Sequence, residues 1–202
     1  SAMSASREGR ALRARSAKLG EIVRQRYQTR TGADDLEVVE GIGPKIADLL
    51  KRADQMNRSW LHVAFVLLLV GYGTKMGLAP MHTWKPDAYR EAPSPAVVLM
   101  AVGMLNGAMY CILRIHVIST AATGPAFSAG LLLTLGLLSV LIAVPFILIQ
   151  WNLKRLLAYS SIEHVGIMAV GVGLGVEAGV FGALLHMTYH SLAKPVTFFS
   201  AG

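Results

Sequence analysis

The chain has 202 residues, of which 53% are hydrophobic and 15% are charged, and its net charge is +7. Residues 1–60 hold 12 of the 19 Lys and Arg and 8 of the 12 Asp and Glu, whereas the remainder is mostly apolar. This distribution excludes a single water-soluble globular domain and predicts a polar N-terminal region joined to a membrane-embedded region. Because Cys111 is the only cysteine, an internal disulfide and a cysteine-built zinc or iron–sulfur site are also excluded.

The first segment, residues 1–33, is a basic arm. Its eight Arg and Lys residues surround a patchy apolar stripe, a pattern that predicts a marginal helix. A solvated linker explains this composition, and contact with nucleic acid or anionic lipid is the alternative. Since Ser1 and Ala2 precede Met3 and an apolar helix is predicted almost up to Gly202, we also expect the chain to be a fragment of a longer protein.

The second segment, residues 34–57, resembles a helix–hairpin–helix motif. Two short amphipathic stretches flank the sequence GIGPK, in which the glycines permit a tight turn and the proline suits the first turn of a helix. In such motifs the amides of the hairpin contact a nucleic-acid phosphate. Gly41, Gly43 and Lys45 are the positions that would make this contact, although a protein contact or a vestigial role is favoured over nucleic-acid binding.

The membrane region, residues 58–202, predicts an all-α polytopic helical bundle. Crossing a hydrocarbon core about 30 Å thick takes about 20 helical residues. Five apolar segments are near this length, at about 60–80, 94–118, 126–150, 161–177 and 178–201. The stretches 81–93 and 151–160 are predicted as polar loops, and they carry Lys85, Arg90, Lys154 and Arg155. The positive-inside rule places these loops in the cytoplasm and residues 1–57 outside it, which disfavours nucleic acid as a partner.

Ionisable side chains interrupt the apolar segments at four places; at one of them, Arg114 and His116 lie near a span end and are expected to reach the membrane interface. Lys75 precedes a glycine- and proline-containing break, and a lysine inside lipid needs a wet cavity or a partner. Glu163 and His164 lie at the start of the fourth segment. In the fifth, ionisable residues recur at intervals of four on one helix face; they are His186, His190 and Lys194.

The chemistry of this helix face fits a proton relay. Histidine titrates near neutral pH, and a lysine in a low dielectric approaches the same range. Two alternatives stay open: histidines four residues apart can share a metal, although no third ligand is nearby, and each histidine can simply hydrogen-bond a neighbouring helix. The sequence shows no Ser–His–Asp pattern and no phosphate-binding loop, so neither a cofactor nor a metal is predicted.

Three stretches together resemble the antiporter-like, proton-translocating membrane subunits of respiratory complex I, membrane-bound hydrogenases and multisubunit cation/proton antiporters. They are GYGTKMGLAPMHTWKPDAYREAPSP, LKRLLAYSSIEHVGIM and LLHMTYHSLAKPVTFFSAG. The nearest likeness is to the hydrogenase-4 component F type, and it covers residues 60–202. The resemblance implies a partial antiporter-like fold of about five transmembrane helices in this chain.

The resemblance also implies roles for particular residues. Lys75 would handle protons in a broken first span, and the face that carries Lys194 would continue an intramembrane axis. Ala101 stands where many relatives have a histidine. The implied protein is a multi-pass subunit of the cell inner membrane, without a redox centre, in a complex with the other membrane and peripheral subunits of a hydrogenase or complex I-like assembly. A membrane-tethered nucleic-acid-binding protein and a non-functional chimeric reading frame are the alternatives.

Overall fold

The computed structural model describes residues 57–202, and within this part every regular element is helical. The elements, in order, are α1 Arg58–Met76, α2 Trp84–Glu91, α3 Ser94–Thr123, α4 Pro125–Leu148, α5 Leu153–Gly173 and α6 Glu177–Ser200. Residues Leu99–Met104 of α3 form a π-helical turn. The prediction of an all-α membrane bundle is confirmed. The basic arm and the helix–hairpin–helix-like segment, with Gly41, Gly43 and Lys45, lie outside the described residues.

Four of the described helices are long and apolar enough to cross a membrane: α1, α3, α4 and α5. The helix α6 has 24 residues, as α4 does, but ionisable side chains interrupt its apolar sequence. The main core lies among α1, α3, α4 and α5, with buried side chains such as Phe65, Met109, Leu132 and Met168. A second, smaller core brings α2, α3, α5 and α6 together; its buried members are Tyr89, Val97, Ala101, Ala158 and Phe198.

Two predicted loops are wrong. The stretch 81–93 contains the helix α2, and the stretch 151–160 contains the first two turns of α5. The helix α5 begins early because the side chain of Asn152 accepts a hydrogen bond from the Arg155 amide at 3.1 Å, which caps its first turn. The guanidinium of Arg155 lies 3.4 Å from the Asp87 carboxylate, so the starts of α5 and α2 face each other.

The connection between α1 and α2 is a tight reversal closed by side chains. Gly77 ends α1 with φ of 81°, a left-handed conformation that glycine adopts without strain. The Trp84 indole donates to the Thr74 carbonyl at 2.7 Å, and the Lys85 ammonium donates to the Met76 carbonyl at 2.8 Å. These two donors satisfy carbonyl groups that the last turn of a helix leaves without an intrahelical partner. They hold α2 against the end of α1.

Close backbone approach joins α4 to α5. A Cβ atom built on Gly166 would lie 2.7 Å from the Gly136 carbonyl oxygen, and one built on Gly136 would lie 2.8 Å from the Gly166 carbonyl oxygen. Gly173 makes a similar approach to the backbone of Ala129 and Leu133. In lipid, such small-residue interfaces hold helices together by packing rather than by a hydrophobic driving force. The glycines therefore fix the position of α5, the helix that supplies half of the candidate site.

Candidate functional site

Three histidines meet where α5 packs against α6. His164 Nδ1 of α5 lies 2.9 Å from His186 Nε2 of α6, a hydrogen bond in which either ring can donate. The ring of His190 stands edge-on to that of His164, with 5.4 Å between ring centroids. The interval of four residues in α6 places His186 and His190 on the side that faces α5, as the sequence pattern predicts.

Lys194 lies one further turn along the same face of α6. It is only 4% exposed, and its ammonium donates to the Leu157 carbonyl and to the Ser160 hydroxyl, both at 3.1 Å. Both acceptors are neutral groups on α5. The carboxylate of Glu163 is half-buried on α5 and acts electrostatically on Lys194. A lysine is almost never buried to this degree unless it is paired, and here the two hydrogen bonds to α5 and the Glu163 carboxylate compensate the ammonium.

His190 has unused hydrogen-bonding capacity. Its side chain is 4% exposed, and neither ring nitrogen has a hydrogen-bond partner among residues 57–202. Buried polar atoms are nearly always paired with protein or ordered water. One imidazole nitrogen can accept a proton while the other donates one. The position of His190, between the His164–His186 pair and Lys194, is therefore suited to pass a proton between them.

Lys75 does not join this cluster. Its side chain is exposed in the last turn of α1, and its ammonium lies 5.9 Å from the centroid of the Tyr72 ring. The structure therefore brings together five of the six residues that the sequence singles out for proton transfer, counting the electrostatic contact of Glu163 with Lys194, and leaves Lys75 on the surface of the described part.

Lys85 is the residue that sequence reasoning missed. The sequence predicts it in a polar loop, which is wrong: it lies in α2 and is 0% exposed, with its ammonium 5.4 Å from the centroid of the Tyr89 ring. Burial, together with the positive charge of Lys194, lowers the pKa of Lys85 to about 7. The spacing of Lys85 and Tyr89, four residues apart, fits one face of a short helix, but it does not specify what that face packs against.

The arrangement can hold and move protons, and it is poorly suited to a metal. Within residues 57–202, no group of three His, Cys, Asp or Glu side chains is placed to hold a metal ion. The His164–His186 contact is a direct nitrogen-to-nitrogen hydrogen bond, which occupies one nitrogen of each ring. Each imidazole and each amine of the cluster can take up and release a proton, as a relay requires.

Comparison with known proteins places residues 42–202 in a transmembrane family described as NADH:quinone oxidoreductase/Mrp antiporter. The match begins at residue 42, inside the segment that resembles a helix–hairpin–helix, and it lends no support to that second likeness. The resemblance seen in the three sequence stretches is thereby confirmed.

Individual relatives agree with the family. The chain is 43% identical to a hydrogenase-4 component F homolog of Methylacidiphilum infernorum over 77% of its length and 33% of the relative. It is 36% identical to the NAD(P)H-quinone oxidoreductase chain 4 of Prochlorococcus marinus over 74% of its length and 28% of the relative. Among solved structures, a chain of the membrane-bound sulfane sulfur reductase, an archaeal respiratory membrane complex, matches 76% of this chain with a TM-score of 0.71 and 32% identity. The match covers 32% of that chain, so our chain spans about a third of the length of these relatives.

Proposed function

From the premise that this chain belongs to the NADH:quinone oxidoreductase/Mrp antiporter transmembrane family, we propose that it moves protons along an axis of lysines and histidines inside the membrane. The chain is a multi-pass membrane protein. The single observation that carries the proposal is the contact between α5 and α6, where His164 and His186 share a hydrogen bond beside His190 and the buried Lys194.

Each group in the cluster has a proposed part in this axis. Lys194 holds a proton between neutral acceptors on α5, and His190 passes it to or from the His164–His186 pair. Glu163 stabilises the protonated form of Lys194, because its carboxylate is the nearby opposite charge. Lys75 exchanges protons with a neighbouring subunit segment that faces its exposed side of α1.

The proposed setting is a redox-driven complex of the inner membrane. One relative is named as a component of hydrogenase-4, another as a chain of NAD(P)H-quinone oxidoreductase, and the matching solved structure is a respiratory membrane complex. These names support the presence of partner subunits. We propose that these are the other membrane and peripheral subunits of a hydrogenase or complex I-like assembly, which supply the redox chemistry. No comparison favours the alternatives of a nucleic-acid-binding module or a chimeric reading frame.

The proposal is tested by grafting residues 57–202 into a full-length relative in place of the matching segment. In inverted membrane vesicles, the graft with Lys194→Ala or Lys75→Ala should lose redox-driven proton uptake while the complex stays assembled and its electron transfer continues. A matched control is Lys154→Ala, because Lys154 is a lysine in the first turn of α5, outside the cluster.

Assembly is checked by the amount of subunit in the membrane and in the purified complex. Loss of uptake in Lys194→Ala, with assembly intact and Lys154→Ala active, supports the axis. Proton uptake equal to that of the unaltered graft in both Lys194→Ala and Lys75→Ala would show that these lysines do not carry protons.

A further inference from the structure

The side chain of Lys85 lies in an environment that its capping role does not explain. It is completely buried in α2, and no carboxylate of residues 57–202 forms an ion pair with it. Among the described residues, its ammonium has one hydrogen bond, to the Met76 carbonyl. Trp84, its neighbour, caps the Thr74 carbonyl with an uncharged indole. A neutral donor is therefore sufficient to close this helix end, and a buried charge there is costly without a further purpose.

An aromatic pair connects Lys85 to Lys194. The rings of Tyr89 and Phe198 pack edge-to-face with 5.5 Å between centroids. The Lys85 ammonium lies 5.4 Å from the Tyr89 ring, and the Lys194 ammonium lies 5.9 Å from the Phe198 ring. Two lysines on different helices thus flank one pair of buried rings. The face of an aromatic ring attracts a cation, so each ring offers partial compensation to an ammonium beside it.

The two lysines also share an electrostatic environment. Lys85 interacts electrostatically with titratable groups on the elements around it. The positive charge of Lys194 on α6 acts on Lys85. The charge of Lys85 in turn acts on three histidines, which are His82 before α2, His164 on α5 and His190 on α6. The Tyr89 hydroxyl is buried without a hydrogen-bond partner among the described residues. A polar group without a partner is therefore present on the ring that lies beside Lys85.

We propose that Lys85 is a second proton-holding lysine of this site, and that protonation of Lys85 and protonation of Lys194 oppose each other across the Tyr89–Phe198 pair. This inference deepens the proposed function and rests on it. A proton that arrives at one lysine makes the other ammonium less favourable, so the second lysine releases its proton to the histidines. The two like charges then never need to be buried together.

The test is the rate at which acetic anhydride modifies Lys194 in the full chain, in nanodiscs at pH 7.5, followed by mass spectrometry. Only the neutral amine reacts. Lys85→Met removes the opposing charge, so Lys194 stays protonated up to a higher pH. Its modification should therefore slow by about three- to tenfold, which corresponds to an upward shift of up to about one unit in the pH at which Lys194 loses its proton. In Lys85→Arg, the charge is permanent, so the rate should stay equal to or above that of the unaltered chain.

A matched control separates charge from helix capping. Trp84→Phe removes the indole donor from the end of α1 but leaves both lysines in place. It should leave the Lys194 rate unchanged. If Trp84→Phe slows Lys194 as much as Lys85→Met does, or if the Met and Arg variants behave alike, Lys85 is a structural cap and the proposal is wrong.

Reciprocity gives an independent measurement. Coupling between two binding events must act equally in both directions. Lys194→Met should therefore shift the pH midpoint of Lys85 modification upward by the same amount as Lys85→Met shifts that of Lys194. An unequal or absent shift of these pH midpoints would overturn the coupling. None of these rates requires proton transport, so a failure here and a failure of the vesicle experiment remain distinguishable.

Discussion

The contact between Gly136 and Gly166 allows the strongest quantitative prediction about the fold that carries the site. In Gly166→Ala, the new methyl group would meet the Gly136 carbonyl oxygen at 2.7 Å, and the side chains of Ser139 and Val140 at 2.9 Å each. Ordinary contact begins at 3.4 Å, so the two helices must separate by about 0.7 Å, because the carbonyl belongs to a helix backbone that cannot rotate away. Overpacking of this kind typically costs about 1–3 kcal/mol.

Gly130→Ala, on the neighbouring helix α4, is the control, since nothing lies within 4 Å of the Cβ position of Gly130. An alanine there should stabilise the helix by about 0.5–1 kcal/mol relative to glycine. Since both variants replace a helical glycine by alanine, this gain cancels, and they should differ by the overpacking cost of about 1–3 kcal/mol, which corresponds to about 2–12 °C in Tm for a chain of this size.

Thermal unfolding in nanodiscs, followed by circular dichroism, measures this difference. Equal Tm values for Gly166→Ala and Gly130→Ala would refute the close approach of α4 and α5. The variant should also disturb the site, because Gly166 lies two residues from His164. In addition, the Ser139 hydroxyl accepts a hydrogen bond from the Ala79 amide at 2.8 Å, so a displaced α4 pulls on the connection that precedes Lys85.

Two further predictions concern the cap at the start of α5 and the pH dependence of the stability that Lys85 contributes. Asn152→Ala removes the cap of α5 and should lower the free energy of unfolding by about 1 kcal/mol, whereas Asn152→Ser should retain most of it; equal Tm values for the Ala variant and the unaltered chain would contradict the capping role. The pKa of Lys85 falls from its ordinary 10.5 to about 7 on burial, so between these values the unfolded chain binds more protons than the folded chain. The contribution of Lys85 to the free energy of unfolding should therefore rise as pH increases from about 7 to 10. Over this interval, the Tm of the unaltered chain should increase relative to the Tm of Lys85→Met. A constant difference between the two Tm values would contradict this expectation.

The sequence predicts the helices of the membrane region well because their apolar stretches are long and bounded by glycine and proline. It also predicts that His186, His190 and Lys194 share a face, because residues four apart in a helix lie on the same side of it. It fails at residues 81–93 and 151–160, where polar residues suggested loops. In both places a polar composition belongs to a helix: Asn152 caps the start of α5, and Asp87 pairs with Arg155 across the two helix starts.

The position of Lys85 could not be predicted, for a physical reason. Whether a lysine near a span end faces water or protein depends on what packs against it, and that information lies elsewhere in the chain. Here the partners are the Met76 carbonyl at the end of α1 and the Tyr89 ring, which is itself buried against Phe198 of α6. The pairing of His164 with His186 depends in the same way on how α5 and α6 are placed, and no local pattern specifies that placement.

The end of α1 gives the three lysines an order. Lys75 points to the exposed surface, and the carbonyl of the next residue, Met76, holds the Lys85 ammonium inside the bundle. Beyond Lys85, the Tyr89–Phe198 pair leads to Lys194 and from there to the histidines. In the proposed route, a proton that enters at Lys75 passes the last turn of α1 before it reaches Lys85. Gly77 is required for more than the turn, because a Cβ atom there would lie 2.6 Å from Lys85 Cδ and would displace the side chain that we propose as the second proton-holding lysine.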